Sequence, residues 1–155
     1  MEVNEAKTLI AAMEALVNTR LKQFIYGTDD ETLASYLGKE LLRTESTIAF
    51  AESCTGGLAS SLVTDVPGSS EYLLGSAVTY SNMAKHKLIN VSEESLESYG
   101  AVSWQVACEM AQGVRELFGT TYGVGITGIA GPTGGTKEKP VGLVYVGICV
   151  MGETE

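Results

Sequence analysis

The stretch Thr47-Ile48-Ala49-Phe50-Ala51-Glu52-Ser53-Cys54-Thr55-Gly56-Gly57 decides how the rest of the chain reads. Its first five residues are short, apolar and partly β-branched, the composition of a buried strand. The two glycines allow a sharp turn, and Leu58, Leu62 and Val63, ahead of the breaker Pro67-Gly68, predict a helix starting near Gly56-Gly57. A strand passing through a glycine turn into a helix is the opening of an α/β unit.

The pattern repeats outward from there. Tyr72 to Tyr80 reads as a strand and Ser81 to about Ile89 as a short helix. Ser92 and Ser103 are plausible N-caps, the first followed by Glu93 and Glu94, where acids suit the positive end of the helix dipole. Val106, Met110 and Val114 mark the inner stripe of the helix that Ser103 opens and that runs to about Phe118. Tyr122–Ile126 and Val141–Val150 are the last two predicted strands. Toward the N-terminus, Leu9, Ile10, Met13, Leu16, Val17 and Leu21 recur at helical spacing, predicting a helix over residues 1 to about 28. Gly27-Thr28-Asp29-Asp30 forms a turn, and a second helix follows from Glu31 to about Arg43. Strands alternating with helices imply an α/β fold: a three-layer α/β/α sandwich with a mixed, largely parallel sheet, preceded by an N-terminal helix. Two regions are expected, an N-terminal helix or linker at 1–28 and the main domain at 29–155.

Composition limits the function classes. A chain of 155 residues buries roughly 68–70% of its unfolded surface on folding and needs no metal or disulfide for its core. The net charge of −9 disfavours non-specific binding to a nucleic-acid backbone. The apolar run Val141 to Met151 is too short to span a bilayer, and the start, with Glu2 and Glu5, lacks the form of a secretory signal. Cys54, Cys108 and Cys149 are odd in number and far apart, which fits a reducing cytoplasm. One histidine and three scattered cysteines give no transition-metal spacing, so neither metal nor cofactor is expected.

Three segments that follow predicted strands carry the candidate chemistry, since ligand sites in α/β sheets gather at strand carboxyl ends. In Glu52–Gly57, Ser53 suits a nucleophile, with free N–H groups nearby at a helix start for an oxyanion. The same residues also suit a plain capping loop. In Thr79-Tyr80-Ser81-Asn82-Met83-Ala84-Lys85-His86-Lys87, Tyr80 and Lys85 lie about one helical turn apart, and either can activate a serine. His86, the sole histidine, sits between two lysines that disfavour its protonated form. Solvated lysines and a packing tyrosine are the alternative. In Ile126–Thr136, glycines and threonines offer donors to a phosphate or ribose, without Walker or Rossmann spacing. From Ser46 onward the basic residues are Lys85, Lys87, Arg115, Lys137 and Lys139, and four of these lie in or beside the second and third segments.

The run Ala51–Gly57, then Tyr80-Ser81-Asn82 with Lys85, then Gly125–Pro132, followed by Pro140-Val141-Gly142-Leu143-Val144, closely resembles the CinA C-terminal-domain family. The resemblance covers roughly residues 30 to 150 and rests on separate motifs in the same order. It implies a nicotinamide-nucleotide amidase that converts nicotinamide mononucleotide and water to nicotinate mononucleotide and ammonia, without a metal. It implies Ser53 as nucleophile, assisted by Tyr80 and Lys85. Cys54, Thr55, Gly56, Gly57, Asn82, Thr127, Gly128, Ala130, Gly131 and Pro132 would contact substrate. It also implies a homodimer, and residues 1–28 resemble the tail of a preceding domain whose pyrophosphatase activity is not assigned to this chain; charge and hydropathy lead to no nucleic-acid or membrane partner being expected. The family pattern runs on past Glu155 into an arginine-containing stretch and a closing helix. Two other readings stand beside it: Cys54 as the nucleophile, and a non-catalytic nucleotide-binding or protein-interaction module.

Overall fold

The computed structural model describes residues 3–150 and the backbone of 153–154. The chain forms two compact units, one up to Tyr36 and the other from Leu37 onward. In the first, helix α1 spans Val3–Leu21, with Glu5 in its first turn and Arg20 in its last, each matched to the dipole. It ends at Leu21 in a short 3-10 turn, Lys22–Phe24, rather than running to about residue 28. No described residue of α1 is buried, so its apolar stripe of Leu9, Ile10, Met13, Leu16 and Val17 is exposed. The spacing reads the helix, and the structure buries no side of it.

Helix α2, Leu33–Arg43, carries the division between the units. The second unit is built on strands β1 (Ile48–Glu52), β2 (Leu73–Val78), β3 (Tyr122–Gly128), β4 (Val144–Val150) and the two-residue β5 (Glu153–Thr154). Their order is β2-β1-β3-β4-β5; β1 lies parallel to β2 and β3, while β4 runs antiparallel to both β3 and β5. Helices α3 (Leu58–Thr64), α4 (Asn82–Ile89), α5 (Glu93–Ser98) and α6 (Trp104–Phe118) complete the fold.

The alternation of side chains along β1 makes the three layers. Ala49 and Ala51 point to one face and pack with Ile89, Val91, Leu96, Val106, Met110 and Val114, from α4 to α6. Ile48 and Phe50 point to the other and pack with Leu41 of α2, Val63 of α3 and Tyr72. The stripe of Val106, Met110 and Val114 is fully buried, each side chain contributing about 1.5–3 kcal/mol by removal from water. Small residues let α6 lie close to the sheet. A Cβ at Gly123, Gly125 or Gly147 would run into the α6 backbone at Ala111 or Ala107.

Two strands are shorter than the sequence reading, for the same reason. β2 stops at Val78, the partner of Glu52 at the end of β1, so Tyr80 lies outside the ladder. β4 starts at Val144, the partner of Gly128 at the end of β3, so Val141 belongs to the preceding loop. Ser81, Ser92 and Ser103 cap α4, α5 and α6, each accepting the N–H three residues on.

Candidate active site

Ser53 is the first residue past β1, and its N–H donates to Ile126 O at 2.9 Å, fixing it between the ends of β1 and β3. Lys85, on α4, reaches across at the carboxyl end of the sheet. Its Nζ lies 2.9 Å from Ser53 Oγ and donates to Thr79 O at 2.7 Å. The lysine is 1% exposed. Burial pushes its pKa below the usual lysine range, with a smaller opposing effect from the Cys54 thiol. Held so, the charged lysine donates to both oxygens; once it loses a proton it can keep one N–H on Thr79 O and turn its lone pair toward Ser53 Oγ, the arrangement of a base beside a nucleophile.

The pair opens on a cavity of about 320 Å³. Ser53, Cys54 and Lys85 form one wall, Ala101 and Val102 a second, and residues 127–131 with Thr133 and Gly134 a third. Tyr80 is at the rim, 75% exposed, and among the described residues it makes no hydrogen bond to Ser53 or Lys85. Clefts of about 540 Å³ along α1 and about 490 Å³ between α2 and the sheet are mainly apolar and hold no serine–lysine pair.

Of the residues expected from sequence to bind substrate, Cys54, Thr127, Gly128, Ala130 and Gly131 line the cavity; Thr55, Gly56, Gly57, Asn82 and Pro132 do not. Gly56 N–H is taken by Ser53 O at 3.1 Å, and Gly57 N–H by the Glu52 carboxylate at 3.0 Å. Asn82 opens α4 on the exposed side. The Thr127 hydroxyl donates to Ala101 O at 2.7 Å, tying two walls together. The sequence reading missed Ala101 and Val102, which sit in the turn between α5 and α6. Their signal was Gly100, at φ +76°, just before the Ser103 cap.

The lysine cluster does not form around the cavity. Lys85 alone lines it, Lys87 and Lys137 are exposed, and Lys139 Nζ donates to Tyr99 O at 2.7 Å. That bond straps the glycine-rich loop to the α5–α6 turn, two segments that each contribute lining residues to the cavity. Lys139→Ala is expected to weaken ligand binding in this cavity severalfold without changing the rate of a step at Ser53, the signature of lost uniform binding, in steady-state kinetics.

His86 is not beside Ser53. Its Nδ1 bonds Val91 O at 2.9 Å and its Nε2 lies 3.8 Å from Glu93. Burial pushes the Cys54 thiol up, outweighing the lowering effect of its own and Thr55's N–H and of Lys85, which disfavours the thiolate. Among the described residues there is no group of three side chains suited to a metal, and no helix is long and apolar enough to cross a membrane.

Fold and site together define an α/β/α sandwich carrying a buried serine–lysine pair at the carboxyl ends of its parallel strands. The chain belongs to the CinA C-terminal-domain family, whose family model matches residues 30–155. A relative of Moorella thermoacetica named as a competence-damage inducible protein is 55% identical over 150 residues, covering 97% of this chain and 36% of its own. A CinA-like protein of Prochlorococcus marinus is 49% identical over 144 residues, covering 93% of this chain and 34% of its own. The chain thus spans about a third of the length of the curated relatives it matches. The crystal structure of a competence/damage inducible protein of Agrobacterium tumefaciens superposes with TM-score 0.78 at 38% identity, covering 84% of this chain and 80% of that one. A CinA superfamily protein of Escherichia coli gives TM-score 0.77 at 33% identity, over 89% and 82%.

Proposed function

We propose that the chain hydrolyses the carboxamide of nicotinamide mononucleotide, yielding nicotinate mononucleotide and ammonia. The observation that carries the reading is the 2.9 Å approach of Lys85 Nζ to Ser53 Oγ inside a cavity. The amide is the bond such a pair is suited to cut, and the nucleotide comes from the family resemblance.

In this scheme the neutral Lys85 amine takes the Ser53 Oγ proton as Oγ attacks the carboxamide carbon. The tetrahedral oxyanion forms against the backbone N–H groups that follow Ser53. Lys85, now an ammonium, returns its proton to the leaving nitrogen, and ammonia departs from an acyl-enzyme on Ser53. Water then attacks the acyl carbon, with Lys85 again accepting the proton, and the carboxylate product leaves as Oγ is reprotonated. Tyr80 stands at the mouth rather than beside Ser53, so the proton transfers are assigned to Lys85. The three free thiols suit the cytoplasm, and the reading includes a homodimer, for which light scattering on the eluting protein is the check.

The test is ammonia release from nicotinamide mononucleotide with a chelator present, wild type beside Ser53→Ala. Release by the wild type and none by the variant is expected. Equal release from both would remove Ser53 from the mechanism, and none from a folded wild type would sink the substrate.

A further inference from the structure

We infer that Glu52 is a positioning residue for the reaction of Ser53: its carboxylate holds the turn after the nucleophile so that the amides of Cys54 and Thr55 are left to receive the oxyanion. The inference rests on Ser53 being the nucleophile, and goes beyond it.

Glu52 is fully buried at the end of β1 and has no cationic partner among the described residues. Four donors from the following turn satisfy it instead. Oε2 accepts from Gly57 N at 3.0 Å and Ala59 N at 3.1 Å; Oε1 accepts from Ser60 N at 2.8 Å and Ser60 Oγ at 2.7 Å. Burial alone would raise the carboxyl pKa. The nearby Thr55 hydroxyl, whose geometry falls short of a hydrogen bond, and the Ser60 and Ala59 donors outweigh it and hold the group below the usual range.

The amides at the start of α3 are therefore spent on Glu52 and are not available to a substrate. Gly56 N–H is spent on Ser53 O. The N–H groups of Cys54 and Thr55 have no backbone acceptor among the described residues, and Cys54 is on the cavity wall. By elimination they are the donors left unspent in the turn after Ser53. A carboxylate suits the task because it only accepts, on both oxygens at once, whereas a glutamine must present its NH₂ to one of the two donor pairs. The lowered pKa of Lys85 comes from burial, which the Cys54 thiol opposes.

The experiment follows acylation of Ser53 by a fluorophosphonate, which needs the nucleophile and the oxyanion donors but not the nucleotide. Ser53→Ala defines the background. Glu52→Gln is expected to lower the maximal labelling rate roughly tenfold to a hundredfold, as loss of oxyanion alignment does, with the half-saturating probe concentration and the pH midpoint of labelling unmoved. Ser60→Ala removes one donor to Oε1 and is expected to slow labelling about threefold, in line with a modest hydrogen-bond loss. A folded Glu52→Gln that labels at the wild-type rate overturns the inference, and so does a slowed variant whose pH midpoint has moved, because Glu52 would then act on Lys85. Should Glu52→Gln not fold, Ser60→Ala decides, and an unchanged rate there overturns it. A wild type that fails to label sinks the nucleophile reading and this inference with it. Labelling without ammonia release sinks the substrate alone and leaves the Glu52 comparison standing.

Discussion

Replacing Lys85 with methionine is expected to abolish amidase turnover while making the protein less sensitive to pH in its stability. Methionine keeps the length and apolar stem of the lysine but has no base to offer Ser53. Loss of a positioned general base costs roughly 10²–10⁴-fold in rate. The stability argument turns on the depressed pKa. Between the lowered folded pKa and the ordinary lysine value of 10.5, the unfolded chain binds more protons than the folded one, so wild-type stability rises with pH across that window. Below the folded pKa the ammonium is charged in both states and its burial cost is present in full. Lys85→Met removes this linkage. Melting temperatures of the two proteins, compared from neutral pH upward, should therefore show the variant faring best at the lower pH values and the wild type recovering as pH rises. Wild-type turnover should rise over the same limb as the amine loses its proton. A variant that retains turnover, or a wild type whose stability falls across the window, would be incompatible with a buried neutral lysine as the base.

What the sequence makes legible here is what is encoded locally. The stripe Val106, Met110, Val114 and the caps Ser92 and Ser103 are read from neighbours within a helical turn, and the fold places them as the pattern implies. The three-layer architecture follows from alternating elements, but the order β2-β1-β3-β4 does not, because strand pairing joins residues far apart in sequence. The same cause displaced Tyr80. An apolar, aromatic run from Tyr72 to Tyr80 looks continuous, yet its ladder ends where β1 ends, at Glu52 opposite Val78. Nearness in sequence also misled on charge, since Lys87, Lys137 and Lys139 neighbour the candidate segments without lining the cavity. Conversely Glu52 reads as one acid at a strand end, and only its four donors, five to eight residues on, reveal what it holds. The helix terminus that looked available to an oxyanion is occupied by that side chain.

Gly113→Ala is expected to lower both stability and turnover, although the residue lies in the middle of α6 and touches no part of the cavity. In an open helix interior this change would stabilise by about 1 kcal/mol, since alanine is the better helix former. At Gly113 a Cβ would run into the carbonyl oxygen and carbon of Ile89. Ile89 ends α4, one turn beyond Lys85, and its own side chain is 1% exposed. A flexible side chain could swing aside, but a backbone carbonyl cannot, so α4 must lift from α6. Overpacking of this kind costs about 1–3 kcal/mol or more, which reverses the propensity gain. The lift also carries Lys85 Nζ away from Ser53 Oγ, a contact that works at 2.9 Å and weakens steeply beyond hydrogen-bonding range. The urea midpoint should fall with the m-value unchanged, and fluorophosphonate labelling should slow in the variant under conditions where it is fully folded. Shortening Ile89 to alanine in the same chain should restore neither measurement, because the obstruction is its carbonyl. A Gly113→Ala protein with a raised midpoint and wild-type labelling would mean that α4 and α6 pack with room to spare, and that the serine–lysine distance is not set by this helix contact.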